Sequence, residues 1–317
     1  MGSLEVRRWI ALNHPAYAVT LSDDGQYVAV GTEEGVTIFN VTGRRLCVYP
    51  PGDAAMPVHQ LTATPDLSQL YVGARQGWLI RLDLEREGEI FGFHAQILYQ
   101  AENDLHTIAL SSDGQFIGVG HLSPGLALLQ ADGHVLWRRH PDDGTATEGQ
   151  IWTVALDAEG HTMYVGSAGS GSNILAALEA RTGSPQTRHY LEAGVRVTGL
   201  AALPGGTGVA VVLTEDLYTS RLVVYDAGLS DLIWERIFDE PITALTADRE
   251  RPILAVSIGY EGQVAIADAE TGRPLASDLA LKSVANGLAI VQGRFLAAAT
   301  QDGHLVLIRY LSKELHP

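Results

Sequence analysis

Five large side chains of types that often bind ligands recur at intervals of 42 to 47 residues: Tyr17, His59, His106, Trp152 and Arg196. Tyrosine, tryptophan and arginine are enriched among the residues that dominate protein interfaces, and histidine can exchange a proton or bind a metal. Each side chain precedes an apolar run that predicts the innermost strand of a repeated unit, and Thr243 and Ala285 hold the same place in two further units. The recurrence predicts a binding surface to which each unit contributes one residue.

Two of these residues, His59 and His106, raise the question of a metal site, because neighbouring units would bring them close together. A zinc ion needs a third and a fourth ligand, and His121 is the only further candidate near them in register. The sequence has no dense ligand motif such as His-x-x-x-His. We therefore predict that these histidines bind no metal, and we predict no cofactor.

Catalytic motifs of other kinds are also missing from the sequence. The glycine-rich stretch 166–173 lacks the lysine of a phosphate-binding loop and precedes no helical pattern, so it predicts a hairpin loop. No Gly-x-Ser-x-Gly turn marks a nucleophilic serine. We predict no catalytic residue.

An internal repeat predicts the elements that must position these residues. Turns of the Ser-Asp-Asp-Gly kind, at 22–25 and again as Ser-Ser-Asp-Gly at 111–114, lead into apolar strands that end in glycine. The ends of these second strands mark seven copies spaced 42 to 47 residues apart: Gly31, Gly73, Gly120, Gly166, Val212, Ser257 and Ala299. Propeller blades of four strands repeat every 40–45 residues or so. The sequence therefore predicts an all-β fold, a seven-bladed β-propeller of four-stranded antiparallel blades that forms one domain over residues 1–317.

The two ends of the chain predict how the ring closes. The last repeat supplies three strands, at 288–290, 295–299 and 305–310, and leaves little chain for a fourth. One extra strand, at 4–12, precedes the first complete repeat. We expect this N-terminal strand to complete the last blade, because an unpaired sheet edge invites aggregation.

These repeats resemble two known propeller families. The Asp-Gly turns followed by a strand ending in glycine resemble WD40 repeats, and the third-strand exits at 175–183 and 265–275 resemble the quinoprotein (PQQ-type) repeat. In the quinoprotein repeat a tryptophan of the outer strand docks against the neighbouring blade, and Trp137 and Trp234 stand at that place. The resemblance implies the fold. It does not imply an activity, because proteins with one fold can have many different activities.

The sequence departs from both families. The Trp-Asp dipeptide of WD40 repeats never appears. The quinone-dependent dehydrogenases that share the other repeat resemble one another in placing adjacent cysteines against the cofactor, and this chain has only Cys47. The resemblance therefore implies no quinone enzyme, and we expect Cys47 to be a small buried apolar side chain.

Charge and composition restrict the kinds of partner that the protein is expected to bind. The net charge is −16, so the chain repels a phosphate backbone, and we expect no nucleic acid. Acidic residues in hairpin turns, including Asp23, Asp24 and Asp113, are expected to bind their own backbone. Others would make the loops of the binding face negative and steer a basic partner to it: Glu33, Glu34, Glu215, Asp216, Glu261 and Asp302, with Asp142, Asp143 and Glu148 in a joining loop.

The location and assembly of the protein follow from the same features. The first ten residues show no apolar signal segment, and one cysteine forms no internal disulfide, so we expect the cytoplasm. We expect no membrane contact and a monomer on its own. The leading hypothesis is a non-enzymatic scaffold that binds a protein or peptide on the concave channel face. The alternative is a propeller enzyme, or a binder of a small molecule or metal, with its site at the channel mouth.

Overall fold

A computed structural model describes residues 1–50, 56–87, 90–121, 125–139, 150–168, 173–216 and 218–312. Seven four-stranded antiparallel sheets form a seven-bladed β-propeller, which confirms the predicted fold. The described part of the chain contains short 3₁₀ turns at Arg75–Gly77 and Pro204–Gly206, and none of its helices is long and apolar enough to cross a membrane.

The first three blades follow the order of the chain. Blade 1 contains β2 (Ala16–Leu21), β3 (Tyr27–Thr32), β4 (Val36–Asn40) and β5 (Arg45–Tyr49). Blade 2 contains β6 (Val58–Ala63), β7 (Gln69–Ala74), β8 (Trp78–Glu87) and β9 (Ile90–Gln100). Blade 3 contains β10 (Leu105–Leu110), β11 (Phe116–His121), β12 (Gly125–Gln130) and β13 (Val135–Arg139).

The next three blades repeat this arrangement. Blade 4 contains β14 (Ile151–Leu156), β15 (Thr162–Ser167), β16 (Ile174–Glu179) and β17 (Ser184–Tyr190). Blade 5 contains β18 (Arg196–Ala202), β19 (Gly208–Thr214), β20 (Ser220–Asp226) and β21 (Leu232–Phe238). Blade 6 contains β22 (Ile242–Ala247), β23 (Ile253–Ile258), β24 (Gln263–Asp268) and β25 (Pro274–Ala280).

Blade 7 joins the two ends of the chain, as predicted. It contains β26 (Ala285–Val291), β27 (Phe295–Thr300) and β28 (His304–Leu311), and its outer strand is β1 (Ser3–Ala11). Strands β1 and β28 pair from Ser3–Leu311 to Ala11–His304, so the N-terminal strand covers an edge that would otherwise be open.

The chain comprises two compact units. The first contains Met1–Leu70, Leu82–Ala95 and Ile242–Pro317, and the second contains Tyr71–Arg81 and Gln96–Pro241. In each unit, apolar side chains of one blade pack against the next, as β26 and β27 do against β2 and β3 in the first unit. Blades 3 and 4 do the same in the second unit, around the buried side chains of Ile151, Met163 and Leu128. Side chains that alternate along each strand therefore pack into two different blade interfaces. This packing explains why the strands are short runs of apolar, β-branched residues.

Candidate functional site

A β-bulge opens the innermost strand of most blades. The register between the first and second strands shifts by one residue in blades 1, 3, 4, 5, 6 and 7. A bulge leaves one residue outside the ladder and redirects its side chain. We call this place the bulge position, and its occupants are Tyr17, His106, Trp152, Thr198, Thr243 and Asn286.

Packing places His59 in the same register in blade 2. The residue before each bulge is buried, as are Ala16 in blade 1 and Ile151 in blade 4. Val58 is buried in the same way and lies against Gly31 of blade 1, as Ile151 lies against Gly120 of blade 3. His59 follows Val58 and is half-buried, so four of the five predicted residues share one register.

Arg196 does not share that register, and this part of the prediction is wrong. In blade 5 the buried residue is Val197 and the bulge position is Thr198, whereas Arg196 pairs with Thr214 at the start of β18. Blade 7 shows the same kind of offset, because Asn286 and not Ala285 occupies the bulge. Arg196 is nevertheless exposed near this end of the strand, so it stays a candidate binding residue.

In the first unit, the bulge residues of blades 1 and 2 touch. The ring centroids of Tyr17 and His59 lie 4.6 Å apart with a tilt of 39°. The Tyr17 hydroxyl donates a hydrogen bond of 2.9 Å to Oε1 of Glu33. His14, three residues before Tyr17, lies 2.8 Å from a carboxylate oxygen of Glu34 and 3.9 Å from one of Glu33. We call these five residues the acidic loop surface.

The acidic loop surface combines aromatic area with negative charge. Glu33 and Glu34 lie on the loop between β3 and β4 and are about half exposed, so water screens their contact with His14. Two carboxylates face a single imidazole, and the surface carries net negative charge. The sequence pattern predicted Tyr17 and His59 as binding residues. It did not predict His14, which lies on the link that leads into β2 and contacts Glu33 and Glu34 only in the folded chain.

In the second unit, the bulge residues of blades 3 and 4 touch in the same way. The rings of His106 and Trp152 have centroids 4.1 Å apart and a tilt of 57°. Trp152 remains 36% exposed, as expected for a side chain that does not pack in a core. Thr107 fixes the two inner strands together, since its hydroxyl accepts a 3.2 Å hydrogen bond from the amide of Val154.

The remaining bulge residues bind the protein itself. Asn286 donates from its side-chain amide to the carbonyl of Ala16 at 2.9 Å and to Oε1 of Gln301 at 2.8 Å. The hydroxyl of Thr198 lies 2.8 Å from that of Thr214. These polar side chains have partners within their own unit.

The predicted acidic loops lie where the repeat placed them. The six described carboxylates are exposed on loops between second and third strands: Glu33, Glu34, Glu215, Asp216, Glu261 and Asp302. Backbone amides of Tyr218 and Thr219 donate to Asp216 and lower the pKa of its carboxyl below its ordinary value. Asp142, Asp143 and Glu148 lie outside the described residues.

Burial and hydrogen bonding oppose each other at Asp302. Partial burial acts to raise the pKa of this carboxyl, but hydrogen bonds from Thr300 and His304 outweigh it, so the pKa lies below its ordinary value. Asp302 therefore stays ionised at neutral pH and contributes to the negative charge of the loops.

The described residues contain no cluster of metal ligands, and the chain lacks the adjacent cysteines of quinone-dependent dehydrogenases. Within the described ranges, no three His, Cys, Asp or Glu side chains are grouped so that they could hold a metal ion. Cys47 is half-buried on the outer strand β5, where burial raises the pKa of its thiol. Since it is the only cysteine of the chain, it cannot form the adjacent pair associated with quinone-dependent dehydrogenases.

Comparison with known proteins identifies one family. The family model described as outer membrane protein assembly factor BamB matches residues 97–313, which is more than half of the chain. No curated protein shows a significant match.

Proposed function

Given that the chain belongs to the family described as outer membrane protein assembly factor BamB, we propose that it is a non-enzymatic scaffold that binds a protein or peptide. The binding residues are Tyr17 and His59 in the first unit and His106, Trp152 and Arg196 in the second. The family description names an assembly factor, which supports a role in protein interaction. The contact between Tyr17 and His59, held by Glu33, is the observation that carries the proposal.

The acidic loop surface favours a partner with basic residues. Tyrosine offers contact area at low entropic cost, and histidine adds a donor or acceptor beside it. Glu33 and Glu34 would attract lysine or arginine of the partner, and such attraction weakens as salt screens it. The partner is therefore a basic protein segment with an apolar or aromatic anchor that covers the Tyr17 ring.

The experiment compares partners recovered from native cells with tagged wild-type chain and with Tyr17→Ala. Tyr190→Ala is the matched control, because Tyr190 is 63% exposed on the outer strand β17 and lies far along the chain from the acidic loop surface. A partner that is lost with Tyr17→Ala and kept with Tyr190→Ala supports the proposal. Its affinity for the purified Tyr17→Ala variant should fall about 30-fold, as for an interface hot spot. Equal recovery with both variants would remove Tyr17 from the site.

Cellular location is a separate part of the proposal. We propose the cytoplasm, because a chain with one cysteine gains nothing from an oxidising compartment. The family description names an outer membrane assembly factor, which makes the cell envelope the competing location for a member of this family. Fractionation of native cells with an antibody to the chain decides between them, and recovery with envelope proteins would overturn the cytoplasmic assignment.

A further inference from the structure

Blade 3 shows how a tryptophan of an outer strand seals a blade interface in the second unit. Trp137 of β13 lies opposite Leu128 in the sheet, and its indole Nε1 donates a 2.6 Å hydrogen bond to the carbonyl of Ala180 in blade 4. The ring also lies against Gly183, in the turn that follows β16. The indole thereby fills the space between β13 and this turn.

Arg8 occupies the equivalent position in blade 7, within the first unit. It lies opposite Leu307 of β28, just as Trp137 lies opposite Leu128 of β12. A side chain on Gly43, in the turn that follows β4 of blade 1, would meet Cγ of Arg8 at 3.5 Å. Arg8 and Ile10 therefore stand beside Gly43 as Trp137 and Arg139 stand beside Gly183, and Arg8 has a flexible stem where Trp137 has an indole.

The turn of blade 1 repeats the acceptor of blade 4. The amide of Val41 binds the carbonyl of Gln26, and the amide of Ala180 binds the carbonyl of His161 in the same pattern. The Val41 carbonyl thus corresponds to the carbonyl of Ala180 that accepts from Trp137. In the described part of the chain no hydrogen bond to the Val41 carbonyl is present, so this acceptor is available.

A groove is lined by Arg8 and Val41, the counterparts of Trp137 and Ala180. Its apolar lining includes Leu21, Val41, Phe295 and Leu307. Phe295 packs against Gly25 of blade 1, as Phe116 of blade 3 packs against Gly160 of blade 4. In blade 4, however, the guanidinium of Arg181 lies 5.7 Å from the centre of the Phe116 ring and covers it.

The turn of blade 1 differs from the turn of blade 4 on this side. Thr42 follows Val41 where Arg181 follows Ala180, and the arginine of the blade 1 turn, Arg44, comes after Gly43. Phe295 lines the groove and is half-buried.

Positive charge surrounds the groove, in contrast to a chain of net charge −16. Arg7, Arg8 and Arg309 line it, and no carboxylate does so among the described residues. Arg7 pairs with Glu5 at 3.3 Å. Arg8 and Arg309 form no ion pair within the described ranges, although half-buried Arg309 lies directly opposite Glu5 of β1. Two guanidinium groups are therefore available to bind anionic groups of a ligand.

We propose that this groove docks a tryptophan from an acidic segment of another protein. The indole fills the space that Trp137 fills in blade 3 and donates its N–H to the Val41 carbonyl, while flanking aspartate or glutamate side chains pair with Arg8 and Arg309. The groove contains Leu21, at the opposite end of β2 from Tyr17, so this surface is separate from the acidic loop surface. Its partner also has the opposite charge from the one proposed above.

The test uses the full chain and a synthetic peptide with blocked ends, Asp-Glu-Trp-Asp-Glu. Binding is measured with a fluorescent dye at the end of the peptide and not by tryptophan fluorescence, because the protein has tryptophans of its own. We expect saturable binding of one peptide per chain. When alanine replaces the peptide's tryptophan, the affinity should fall by about tenfold or more. Equal binding of the alanine peptide would overturn the proposal, since it would reduce the site to a patch that attracts charge.

Two substitutions of Arg8 test the location of the site. Arg8→Trp places in the groove the side chain that seals blade 3, so it should abolish peptide binding and raise the thermal midpoint of unfolding. Arg8→Glu keeps the groove open and reverses one charge, so it should weaken binding at least about tenfold without loss of fold. Arg188→Glu, on the outer strand β17, is the matched control and should bind as the wild type does.

Three results would overturn the proposal. The first is unchanged binding by both Arg8 variants, and the second is an absence of saturable binding by the wild type. The third is a dimer in sedimentation experiments that Arg8→Trp dissociates, because the groove would then belong to a second copy of the chain.

Discussion

Arg249 and Asp23 stand 226 residues apart in the chain, and their side chains form an ion pair of 3.1 Å within the first unit. The same guanidinium donates a 2.7 Å hydrogen bond to the carbonyl of Ala63. Arg249 follows β22 of blade 6, so this one side chain links blade 6 to blades 1 and 2. The expectation that Asp23 binds its own turn is wrong, because Asp24 holds the turn by accepting from the amide of Gln26 at 2.9 Å.

Replacing Arg249 with alanine should destabilise the protein in a way that depends on pH. Burial raises the pKa of Asp23, and the positive charge of Arg249 partly offsets this effect. Without Arg249, the half-buried carboxylate loses its partner, at a cost of about 1–2 kcal/mol for a partly exposed charged pair.

The sign of the pH dependence follows from the raised pKa. Because the folded state holds the Asp23 proton more tightly than the unfolded state, this group favours folding below its unfolded pKa, and the contribution is lost as pH rises through the folded pKa. Arg249→Ala should therefore lose more stability at pH 7 than near pH 4, where Asp23 gains protons. Urea unfolding at both pH values measures the difference. In an Asp23→Asn background the loss should shrink, and an equal loss would contradict the coupling.

Closure of the ring by β1 can be tested by deletion of residues 1–12. The deletion removes the partner of β28 along its whole length and uncovers the half-buried contacts of Leu4, Val6 and Ile10. The truncated chain should aggregate or lose its cooperative transition, since an exposed strand edge pairs with other chains. Circular dichroism during heating and light scattering measure both effects. Melting that matches the full chain would show that β1 contributes little to closure.

The docking of Trp137 predicts two different losses of stability. Trp137→Ala removes the indole from the interface of blades 3 and 4 and should cost about 3 kcal/mol, the lower end for a large core residue, because Trp137 is half-buried. Trp137→Phe keeps much of the ring and loses the bond to Ala180, at a cost of about 1 kcal/mol. Trp152→Ala is the control, and its exposed ring should change stability little. A loss below about 1 kcal/mol for Trp137→Ala would contradict the docking role.

The repeat made the fold predictable because it marks a place in each blade. All seven markers, from Gly31 to Ala299, fall at the fifth residue of the second strand of their blade. The bulges were less predictable. One unpaired residue reverses which side chains of a strand face each side of the sheet. The sequence alone therefore does not determine whether Arg196 or Thr198 is the residue outside the ladder. The ion pair of Arg249 and Asp23 could not be predicted from the sequence, since the turn around each residue has an ordinary local pattern that does not require the other residue.

We propose that residues 1–317 unfold as one domain, and calorimetry tests this directly. The two compact units share the strands of blade 2, since β7 and β8 each contribute residues to both. Because the division falls inside single strands and not in a linker, we expect a single transition, with equal calorimetric and van't Hoff enthalpies. Two resolved transitions would contradict the single domain. Trp137→Ala, in the second unit, would then shift only one of them.

Substitution of Trp152 tests the binding surface of the second unit. If Trp152 anchors a partner, Trp152→Ala should weaken the affinity by at least about 2 kcal/mol, or about 30-fold, while the free energy of unfolding hardly changes. Arg196→Ala should act in the same direction. Thr198→Ala is the matched control, because its hydroxyl is engaged with Thr214 and is not needed by a ligand.

Titrations at low and high salt separate the two kinds of contact. The loss caused by Trp152→Ala should be the same at about 0.05 M and 0.5 M salt, since burial of an aromatic ring is not screened. The loss caused by Glu33→Gln should shrink at high salt. If Trp152→Ala and Arg196→Ala both leave the affinity unchanged, the partner binds elsewhere on the chain.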